Sequence, residues 1–456
     1  MYDIIVIGSG PGGHSAAISA AKLGKKVAVV ERGELGGVCV NWGCMPTKSL
    51  LKSAEVYQSA LKAAEFGVTI EGSITPDLDG MVTRSRGIAS LMSGGIRQSF
   101  KKYGIEVIEG EGRLVGGGVV EVAGERYEAE KIILATGARP RRVVAIPVDG
   151  KRVITSREAL ELRELPSSMV VVGSGAIGLE FASFFSSLGV SVTVVEYMGA
   201  IAPLEDAEIS ANLERAFRKR KVKLMTSTKV LGVSVSEEGC IVEVEGKKGV
   251  ENLACDIVLS AVGVETNVEG LGLEELGVEM DGAFVAVDYK DYSTSVEGLY
   301  AIGDIVRGPA LAHVAMLEAE VCVAAICGVE DVEFVNYSLI PSCVYTFAEV
   351  ASVGVTEAQA LEMYDLVAVG KYSMVSSGKA AVAGHKDGIV KLVFAGEQRV
   401  LVGAHLMGHN VTEMISGLTV MIGDGVTAAE ILSSCHPHPT ISEAIQEAAR
   451  VIVDVL

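Results

Sequence analysis

The chain has 456 residues, a length typical of about two to four domains. Hydrophobic residues make up 49% of the sequence and glycine accounts for 53 positions, which suits a large α/β protein with many tight turns. The formal net charge of −19 argues against nucleic acid and against an anionic membrane surface as partners, because both require a basic protein surface.

A glycine-rich turn follows the first predicted strand. Apolar residues 4–7 lead into Gly8, Gly10 and Gly13, then an alanine-rich helix and a second strand that ends at Glu31. In such a unit the first glycine makes the turn, the second lets the backbone approach a pyrophosphate, and the third lets helix and strand pack closely. The acid can bond a ribose, and the helix N-terminus offers free N–H groups to the phosphates. The segment predicts dinucleotide binding.

Two cysteines, Cys39 and Cys44, lie five residues apart in the next segment. On a regular helix this spacing corresponds to about 7.5 Å of rise and about 140° of rotation. A disulfide needs Cα atoms within roughly 4.4–6.8 Å. The two cysteines therefore cannot both lie on one ideal helix and be bridged, and Asn41 and Gly43 permit a turn between them.

The helix after the pair is predicted to begin next to Cys44. Pro46 suits a first helical position, which predicts a helix over residues 46–66 and places Cys44 where the helix dipole stabilises a thiolate. Lys48 adds a positive charge one turn further on. Cys39 is expected outside the helix, more mobile and more exposed. The alternative is two unrelated buried thiols, which the glycine-rich flank and Lys48 disfavour.

The strand–glycine–helix–strand–acid pattern occurs a second time. Gly173, Gly175 and Gly178 follow an apolar strand over residues 169–172, and Glu196 ends the next strand. The third glycine and the acid are 18 residues apart in both copies. A glutamate at this position accepts a hydrogen bond from a ribose 2′-OH and repels a 2′-phosphate, so the second unit is expected to prefer NAD over NADP.

Three further apolar strands end at glycine or beside it, over residues 131–137, 256–263 and 298–304. Thr136, Gly137 and Gly263 stand at the ends of the first two, where backbone can pass near a cofactor. Asp304 ends the third, at the edge where open α/β sheets bind ligands. An ordinary turn aspartate is the alternative for that residue.

The remaining apolar segments predict a soluble protein. Residues 4–7 resemble a buried strand and not a signal peptide, and residues 309–328 predict a core helix because charged residues interrupt them. Of the eight cysteines, only the first pair has surroundings that indicate reactivity, and Cys322 and Cys327 are expected to be buried apolar residues. We therefore expect a cytoplasmic location.

The C-terminal segment contains His438 and Glu443. A histidine can take a proton from a thiol near neutral pH, and an adjacent carboxylate fixes its tautomer. Thr440 and Glu443 also form the spacing of a capping box for a final helix towards Val455. From the residues alone, catalysis and a rigid proline-flanked turn are equally supported for His438.

These features together resemble the pyridine nucleotide-disulfide oxidoreductase family of flavoproteins over nearly the whole chain. The segments that resemble it are residues 8–13, 39–48, 135–137, 173–180, 301–304, 341–346 and 438–443. The resemblance implies an α/β fold with two Rossmann-like dinucleotide-binding domains, for FAD and for NAD, and a C-terminal α+β dimerisation domain. The implied boundaries are 1–145 and 265–335 for the FAD domain, 146–264 for the NAD domain and 336–456 for dimerisation.

The resemblance also implies roles around the dithiol. Cys39 exchanges with substrate sulfur, and Cys44 contacts the flavin as a thiolate. Lys48 pairs with Glu180 beside the flavin. The implied cofactor-binding residues are Gly8, Gly10, Gly13, Glu31, Lys48, Gly112, Thr136, Gly137, Asp304, Ala312, Gly173, Gly175, Gly178, Glu196, Val230 and Gly263.

A homodimer follows from the same resemblance, because the family's catalytic histidine reaches the dithiol of the other subunit. His438 then acts as the acid/base catalyst, Glu443 orients it, and the bond between His438 and Pro439 is cis. No metal site is implied.

The implied reaction is oxidation of protein-bound dihydrolipoamide to lipoamide with NAD⁺, in service of a 2-oxoacid dehydrogenase or glycine cleavage complex. One alternative is another NAD(P)H-dependent disulfide or mercuric-ion reductase. The C-terminal residues lack the cysteine pair of mercuric reductases, and Glu196 disfavours the NADP used by glutathione reductases. An alternative of another class is a structural or regulatory flavoprotein subunit without turnover, which the intact dithiol and His438 disfavour.

Overall fold

The computed structural model describes residues 1–453. The chain divides into two compact units. The first consists of Met1–Ser49, Asp79–Arg141 and Gly263–Val335, and the second of Leu50–Leu78, Arg142–Val262 and the residues from Asn336 onwards. Within residues 1–453, no helix has both the length and the apolar character needed to cross a lipid bilayer.

A seven-stranded sheet forms the centre of the first unit. Its order is β3 (Glu106–Glu109), β2 (Val27–Glu31), β1 (Tyr2–Ile7), β6 (Glu125–Leu134), β5 (Val119–Val122) and β4 (Gly112–Gly116), with β19 (Leu299–Ala301) also paired to β6. Strands β1, β2, β3 and β19 run parallel to their neighbours, while β4, β5 and the start of β6 are antiparallel. Ile5 faces Ala28 on one side and Ile132 on the other.

The sheet is buried on both faces, as its continuous apolar strands predict. Ile5 and Ile7 belong to one core cluster, whereas Ile4 and Val6 belong to another on the opposite face. The helices of this unit are α1 (Pro11–Lys22), α2 (Gly37–Trp42), the start of α3 (Cys44–Leu61), α4 (Leu78–Lys102) and α8 (Ala312–Cys327). Helix α8 is the predicted core helix, and Cys322 on it is fully buried.

Two small two-stranded sheets complete the first unit. They are formed by β7 (Ala138–Pro140) with β16 (Val264–Thr266) and by β17 (Met280–Asp281) with β18 (Phe284–Val285). The chain passes from the first unit to the second within α3.

The second unit contains a five-stranded parallel sheet that repeats the first glycine-turn arrangement. Its order is β11 (Lys223–Met225), β10 (Ser191–Val195), β9 (Ser168–Val172), β15 (Ile257–Ser260) and β8 (Val153–Ile154). A separate antiparallel sheet consists of β12 (Lys229–Val235), β13 (Cys240–Gly246) and β14 (Gly249–Cys255). The helices of this part are α5 (Ser156–Ala159), α6 (Ala176–Ser187) and α7 (Ala207–Lys219).

The C-terminal part of the second unit has an antiparallel sheet of its own. Its order is β20 (Ser342–Val344), β21 (Glu349–Gly354), β24 (Val400–Gly408), β23 (Ile389–Ala395) and β22 (Val367–Ser373). Its helices are α9 (Glu357–Met363), α10 (Gly378–Ala383), α11 (Val411–Gly423), α12 (Ala428–Ser433) and α13 (Glu443–Arg450). The predicted α/β fold class is confirmed by this architecture.

A buried lysine joins three acidic side chains within the second unit. Nζ of Lys391 lies 2.7 Å from Asp206, 2.7 Å from Glu357 and 3.3 Å from Glu208, and its side chain is 3% exposed. Burial favours the neutral forms of these groups, but the hydrogen bonds outweigh it, so the pKa of Asp206 is lowered and the pKa of Lys391 is raised. We call Lys391, Asp206, Glu208 and Glu357 the buried ion network.

Candidate active site

The first glycine turn has the shape that a pyrophosphate requires. Gly8 has a φ of +102°, and a Cβ on it would lie 2.3 Å from the carbonyl oxygen of Ala135. A Cβ on Gly13 would lie 2.0 Å from the oxygen of Gly8. A Cβ on Gly10 would have no described atom within 4 Å. Gly8 and Gly13 are thus needed for packing, while Gly10 leaves open space at the N-terminus of α1, where FAD phosphates fit.

The second glycine turn repeats this geometry closely. A Cβ on Gly173 would lie 2.3 Å from the oxygen of Ala261, and a Cβ on Gly178 would lie 2.1 Å from the oxygen of Gly173. The Cβ position of Gly175 again has no described atom within 4 Å. Gly175 is the N-cap residue of α6 and has no side chain to cap it, so the first N–H groups are free for the phosphates of NAD.

Glu31 is held in place by the first turn. Its Oε2 accepts the backbone N–H of Ser9 at 2.9 Å and the Ser9 hydroxyl at 2.6 Å, and its Oε1 accepts the N–H of Gly33 at 2.8 Å. A carboxylate has about four acceptor positions, so about one remains for a ribose hydroxyl.

Glu196 has the same arrangement in the second turn. Its Oε2 accepts the N–H and the hydroxyl of Ser174 at 2.8 and 2.7 Å, and its Oε1 accepts the N–H of Met198 at 2.7 Å. Glu196 is only 7% exposed. A 2′-phosphate at this position would face a buried negative charge, which fits a preference for NAD over NADP.

Other predicted cofactor residues of the first unit lie at strand or helix ends. Thr136 donates its hydroxyl to the oxygen of Asn267 at 2.7 Å, and Gly137 has a φ of +67°. Asp304 lies in the single 3-10 turn after β19, where burial raises the pKa of its carboxyl. Gly112 begins β4 and Ala312 begins α8.

Val230 and Gly263 belong to different units. Val230 lies in β12 at an irregularity in its pairing with β13. Gly263 begins the last segment of the first unit, has a φ of +101° and accepts the N–H of Arg141 at 3.0 Å. Their roles in cofactor binding remain predictions.

The two cysteines of the dithiol are brought together by a break between two helices. Cys39 lies in α2, Gly43 interrupts the helix with φ −150° and ψ −111°, and Cys44 is the first residue of α3. The predicted position of Cys44 at a helix N-terminus is confirmed. The predicted helix is too long at its C-terminal end. It was expected to reach residue 66, but α3 ends at Leu61 and a 3-10 turn, Ala63–Phe66, follows.

Cys39 lies outside α3, as expected, but it belongs to a separate short helix, α2. The expected greater exposure of Cys39 is wrong, because both cysteines have intermediate exposure. The two cysteines are not joined by a disulfide, and the hydrogen bond between their side chains is the largest factor that raises the pKa of Cys39, with burial second. The positive charge of Lys48 acts in the opposite direction. In the reduced pair, therefore, Cys39 retains its proton.

Two arginines next to the dithiol segment were missed by sequence reasoning. Arg86 donates to the backbone oxygen of Asn41, and its guanidinium lies 4.2 Å from the centre of the Trp42 ring. Arg84 donates to the hydroxyl of Ser49 at 2.8 Å. Both lie on α4, more than 30 residues further along the chain, so no local pattern indicates them. Both arginines therefore tie α4 to the segment that carries the dithiol.

Lys48 and Glu180 lie in different units. Lys48 is four residues after Cys44 on α3. Glu180 lies on α6, is 4% exposed and accepts the backbone N–H of Tyr345 at 3.0 Å. Their pairing remains a prediction.

His438 and Glu443 form a hydrogen-bonded pair. Nδ1 of His438 lies 2.8 Å from Oε1 of Glu443, and Oε2 of Glu443 accepts the N–H of Thr440 at 2.7 Å. These contacts, with the N–H of Thr440 first, lower the pKa of Glu443. The bond between His438 and Pro439 is cis, as expected.

The predicted capping box is only half formed. Glu443 accepts the N–H of Thr440, but the Thr440 hydroxyl donates to the oxygen of Pro437 at 2.8 Å and does not cap the helix. Helix α13 therefore begins at Glu443, and it ends at Arg450. Val455, the predicted end, lies outside the described residues.

Two dinucleotide-type glycine turns and a dithiol at a helix start define a nucleotide-dependent disulfide oxidoreductase. The chain matches the family model described as pyridine nucleotide-disulphide oxidoreductase over residues 2–319 and its dimerisation domain over residues 340–449. It belongs to this family, and the match confirms the predicted cofactors, FAD and NAD.

Named relatives cover almost the whole chain. It is 45% identical to a dihydrolipoyl dehydrogenase from Rhizobium etli, over 98% of this chain and 97% of that protein. It is 38% identical to a dihydrolipoyl dehydrogenase from Bacillus subtilis, over 98% and 97%. The crystal structure of LpdA from Mycobacterium tuberculosis superposes with a TM-score of 0.90 at 27% identity, over 99% of this chain and 100% of that one.

Proposed function

We propose that this chain oxidises protein-bound dihydrolipoamide to lipoamide with NAD⁺, through a disulfide between Cys39 and Cys44. The observation that supports this most is the hydrogen-bonded thiol pair at the junction of α2 and α3. The names of the relatives indicate the substrate, since several of them are called dihydrolipoyl dehydrogenase.

The sulfur chemistry takes two displacements. One substrate thiolate attacks Sγ of Cys39 in the disulfide, forms a mixed disulfide and releases Cys44 as a thiolate. The second substrate thiolate then attacks the substrate sulfur bound to Cys39, which closes the lipoamide disulfide and leaves Cys39 reduced. Of the two substrate protons, one ends on Cys39, whose pKa is raised, and the other leaves through a base.

His438 is the proposed base. Its Nδ1 is occupied by Glu443, which fixes the tautomer that donates from Nδ1 and leaves Nε2 as an acceptor. Nε2 takes the proton from the substrate thiol and later releases it to solvent. Glu443 stays ionised because its pKa is lowered, so it stabilises the imidazolium that forms.

The glycine turns fit the two cofactors that the family uses. Gly8, Gly10, Gly13 and Glu31 would hold FAD in the first unit, and Gly173, Gly175, Gly178 and Glu196 would hold NAD in the second. FAD supplies a two-electron acceptor for the reduced dithiol, and NAD⁺ is the final hydride acceptor. We also propose that Lys48 and Glu180 pair beside the flavin. The domain division at residues 145, 264 and 335 is part of the same proposal.

The reaction is tested by removing one thiol. Cys44→Ser should abolish NAD⁺-dependent oxidation of dihydrolipoamide, because no disulfide can form. Cys327→Ser is the matched control, since Cys327 is a half-buried thiol at the C-terminal end of α8, is not among the proposed site residues and should be dispensable. Wild-type turnover by Cys44→Ser would exclude the relay.

We propose a homodimer in which His438 of one subunit serves the dithiol of the other. The presence of a dimerisation domain supports this, as does the 80% exposure of the His438 side chain within its own chain. Mixing inactive Cys44→Ser and His438→Ala subunits provides the test. A mixed dimer restores one complete site if the histidine acts across the interface, and stays inactive if it acts within its own subunit.

The partner and the location are proposed on the same basis. A lipoyl-bearing protein of a 2-oxoacid dehydrogenase or glycine cleavage complex would present the substrate, in the cytoplasm, where thiols stay reduced. A panel of dihydrolipoamide, glutathione disulfide, coenzyme A disulfide and Hg²⁺, each with NAD and NADP forms, separates this activity from the other reductases of the family. Preference for glutathione disulfide or Hg²⁺ would contradict the proposal.

A further inference from the structure

A cavity of about 380 Å³ lies in the second unit, outside the nucleotide turns and the dithiol. Its walls come from the C-terminal ends of α3, α6 and α7, from the segment 384–387 and from His409. This volume is within the range of roughly 300–1,000 Å³ that is usual for pockets that bind small molecules.

The lining of this cavity is basic although the chain is acidic. Lys62, Lys219, Arg220 and Lys386 line it, whereas the whole chain has a formal net charge of −19. Among the described lining residues Asp387 is the only carboxylate, and it lies 2.9 Å from Nζ of Lys219. The cavity therefore has about three positive charges that no lining carboxylate balances.

Arg220 is held in position for an anion. Its guanidinium lies 4.1 Å from the centre of the Phe347 ring, and Nη1 donates to the hydroxyl of Ser187 at 3.4 Å. Gln58 fixes the same wall by donating to the backbone oxygen of Ser187 at 2.5 Å. Burial lowers the pKa of Arg220, and the charge of Asp387 acts in the opposite direction. A stacked guanidinium with free N–H groups is well suited to bind phosphate oxygens in bidentate fashion.

Two histidines stack at the edge of the cavity. The ring centres of His385 and His409 are 4.3 Å apart with 17° between the planes. Burial lowers the pKa of both, and the charges that face them are Glu55, Lys52, Lys62 and Arg220. If either ring takes up a proton, that ring offers a second N–H donor to an anion in the cavity.

Helix dipoles explain only some of these charges. Lys219 and Arg220 lie at the C-terminus of α7, where positive side chains offset the dipole in any protein. Lys386 lies in the loop between α10 and β23 and has no such role. Its charge therefore adds to the positive lining of the cavity without a role at a helix end.

We propose that this cavity binds a small metabolite with at least one phosphate group, at a site distinct from both nucleotide turns. The number of unbalanced cations matches a ligand with two or more negative charges. The tetrahedral oxygens of a phosphate can meet the Arg220 guanidinium and the Lys386 ammonium together, which a single planar carboxylate does less well.

Calorimetric titration of the full-length, FAD-loaded enzyme with inorganic pyrophosphate tests this. Saturating NAD⁺ keeps the second nucleotide turn occupied, and constant ionic strength removes the effect of screening. We expect binding to the wild-type protein, weakened by about tenfold or more in Lys386→Gln and in Arg220→Gln, since each removes a charge-assisted hydrogen bond.

Arg218→Gln is the matched control. Arg218 lies on the same helix but pairs with Glu214 at 2.7 Å outside the cavity, so this variant should bind pyrophosphate like the wild type. Lys386 is exposed, so Lys386→Gln should fold normally and keep the basal turnover. The proposal is overturned if the wild type does not bind pyrophosphate, if Lys386→Gln binds it equally well, or if citrate binds as tightly as pyrophosphate.

Discussion

Nδ1 of His438 lies 2.8 Å from Oε1 of Glu443, and the second oxygen of this carboxylate accepts the N–H of Thr440. One carboxylate thus orients the histidine and fixes the turn before α13. Both functions depend on its charge, which persists to lower pH than usual because the pKa of Glu443 is lowered.

Replacing Glu443 should therefore affect catalysis more than folding. In Glu443→Gln, the imidazolium of His438 loses its counter-charge, and we expect kcat to fall by about 10- to 100-fold. Glu447→Gln is the control on the same helix, since Glu447 pairs with the exposed Arg450 and does not contact His438 in the described structure. Equal losses in both variants would refute a role for Glu443 in orienting the base.

The second glycine turn predicts opposite outcomes for two neighbouring glycines. Gly175 has φ −69° and ψ −179°, which any residue adopts, and its Cβ position has no described atom within 4 Å. Gly175→Ala should fold normally but raise the KM for NAD⁺ by about tenfold, because the methyl group occupies the phosphate position. Gly178→Ala should destabilise the protein by about 1–3 kcal/mol, since its Cβ would clash with the oxygen of Gly173. Thermal unfolding and NAD⁺ kinetics on both variants measure the difference.

Nucleotide choice should depend on the charge of Glu196. Glu196→Gln removes the repulsion of a 2′-phosphate, and we expect the ratio of kcat/KM for NAD⁺ to that for NADP⁺ to fall by about tenfold or more. Ser174→Ala removes one hydrogen bond to the same carboxylate but keeps its charge, so the ratio should stay nearly unchanged. An unchanged ratio in Glu196→Gln would show that the charge does not select the nucleotide.

Removal of Lys391 should destabilise the second unit strongly. Lys391→Met leaves Asp206 buried without its cation, and we expect a loss of about 3–5 kcal/mol in the free energy of unfolding. Lys371→Met is the control, because Lys371 pairs with Glu208 at a half-exposed position and should cost about 1 kcal/mol or less. Urea unfolding at pH 7 compares the two, and equal losses would argue against a special role for the buried position.

The buried ion network should make the free energy of unfolding depend on pH at both the acidic and the alkaline end. The pKa of Asp206 is lowered, so its contribution to stability is present above the pKa of an unfolded aspartate and is lost as the pH falls through the folded value. The pKa of Lys391 is raised, so its contribution is lost only as the pH rises through a value above that of an ordinary lysine. In Lys391→Met both dependences should be weaker in unfolding experiments across this range.

The nucleotide turns could be predicted from the sequence because each is local. Gly173, Gly178 and Glu196 act within one strand–helix–strand segment, and the spacing alone indicates their contacts. The break at Gly43 was also predictable, since helix geometry excludes a bridge on a regular helix. The short helix α2 was not, because the need for a turn does not say where the helices on either side begin.

Contacts between distant segments left no signal in the sequence. Lys391 and Asp206 are 185 positions apart, and Arg86 and Asn41 are 45 apart. A lysine in an apolar strand and an arginine in an exposed helix look ordinary until the fold brings their partners close. The half-formed capping box has a different cause, because the spacing of Thr440 and Glu443 does not show that the Thr440 hydroxyl donates to Pro437 instead of capping the helix.

Glu31 and Glu196 are each fixed by three donors before any nucleotide binds. Ordering a side chain on binding costs about 0.5–1.5 kcal/mol. Here the side-chain entropy is lost when the chain folds, so a ribose binds to an acceptor that is already oriented. The linkage is mutual, since a nucleotide that binds only the folded chain raises its melting temperature. In each turn the same carboxylate thus holds the loop rigid and is positioned to bind the cofactor.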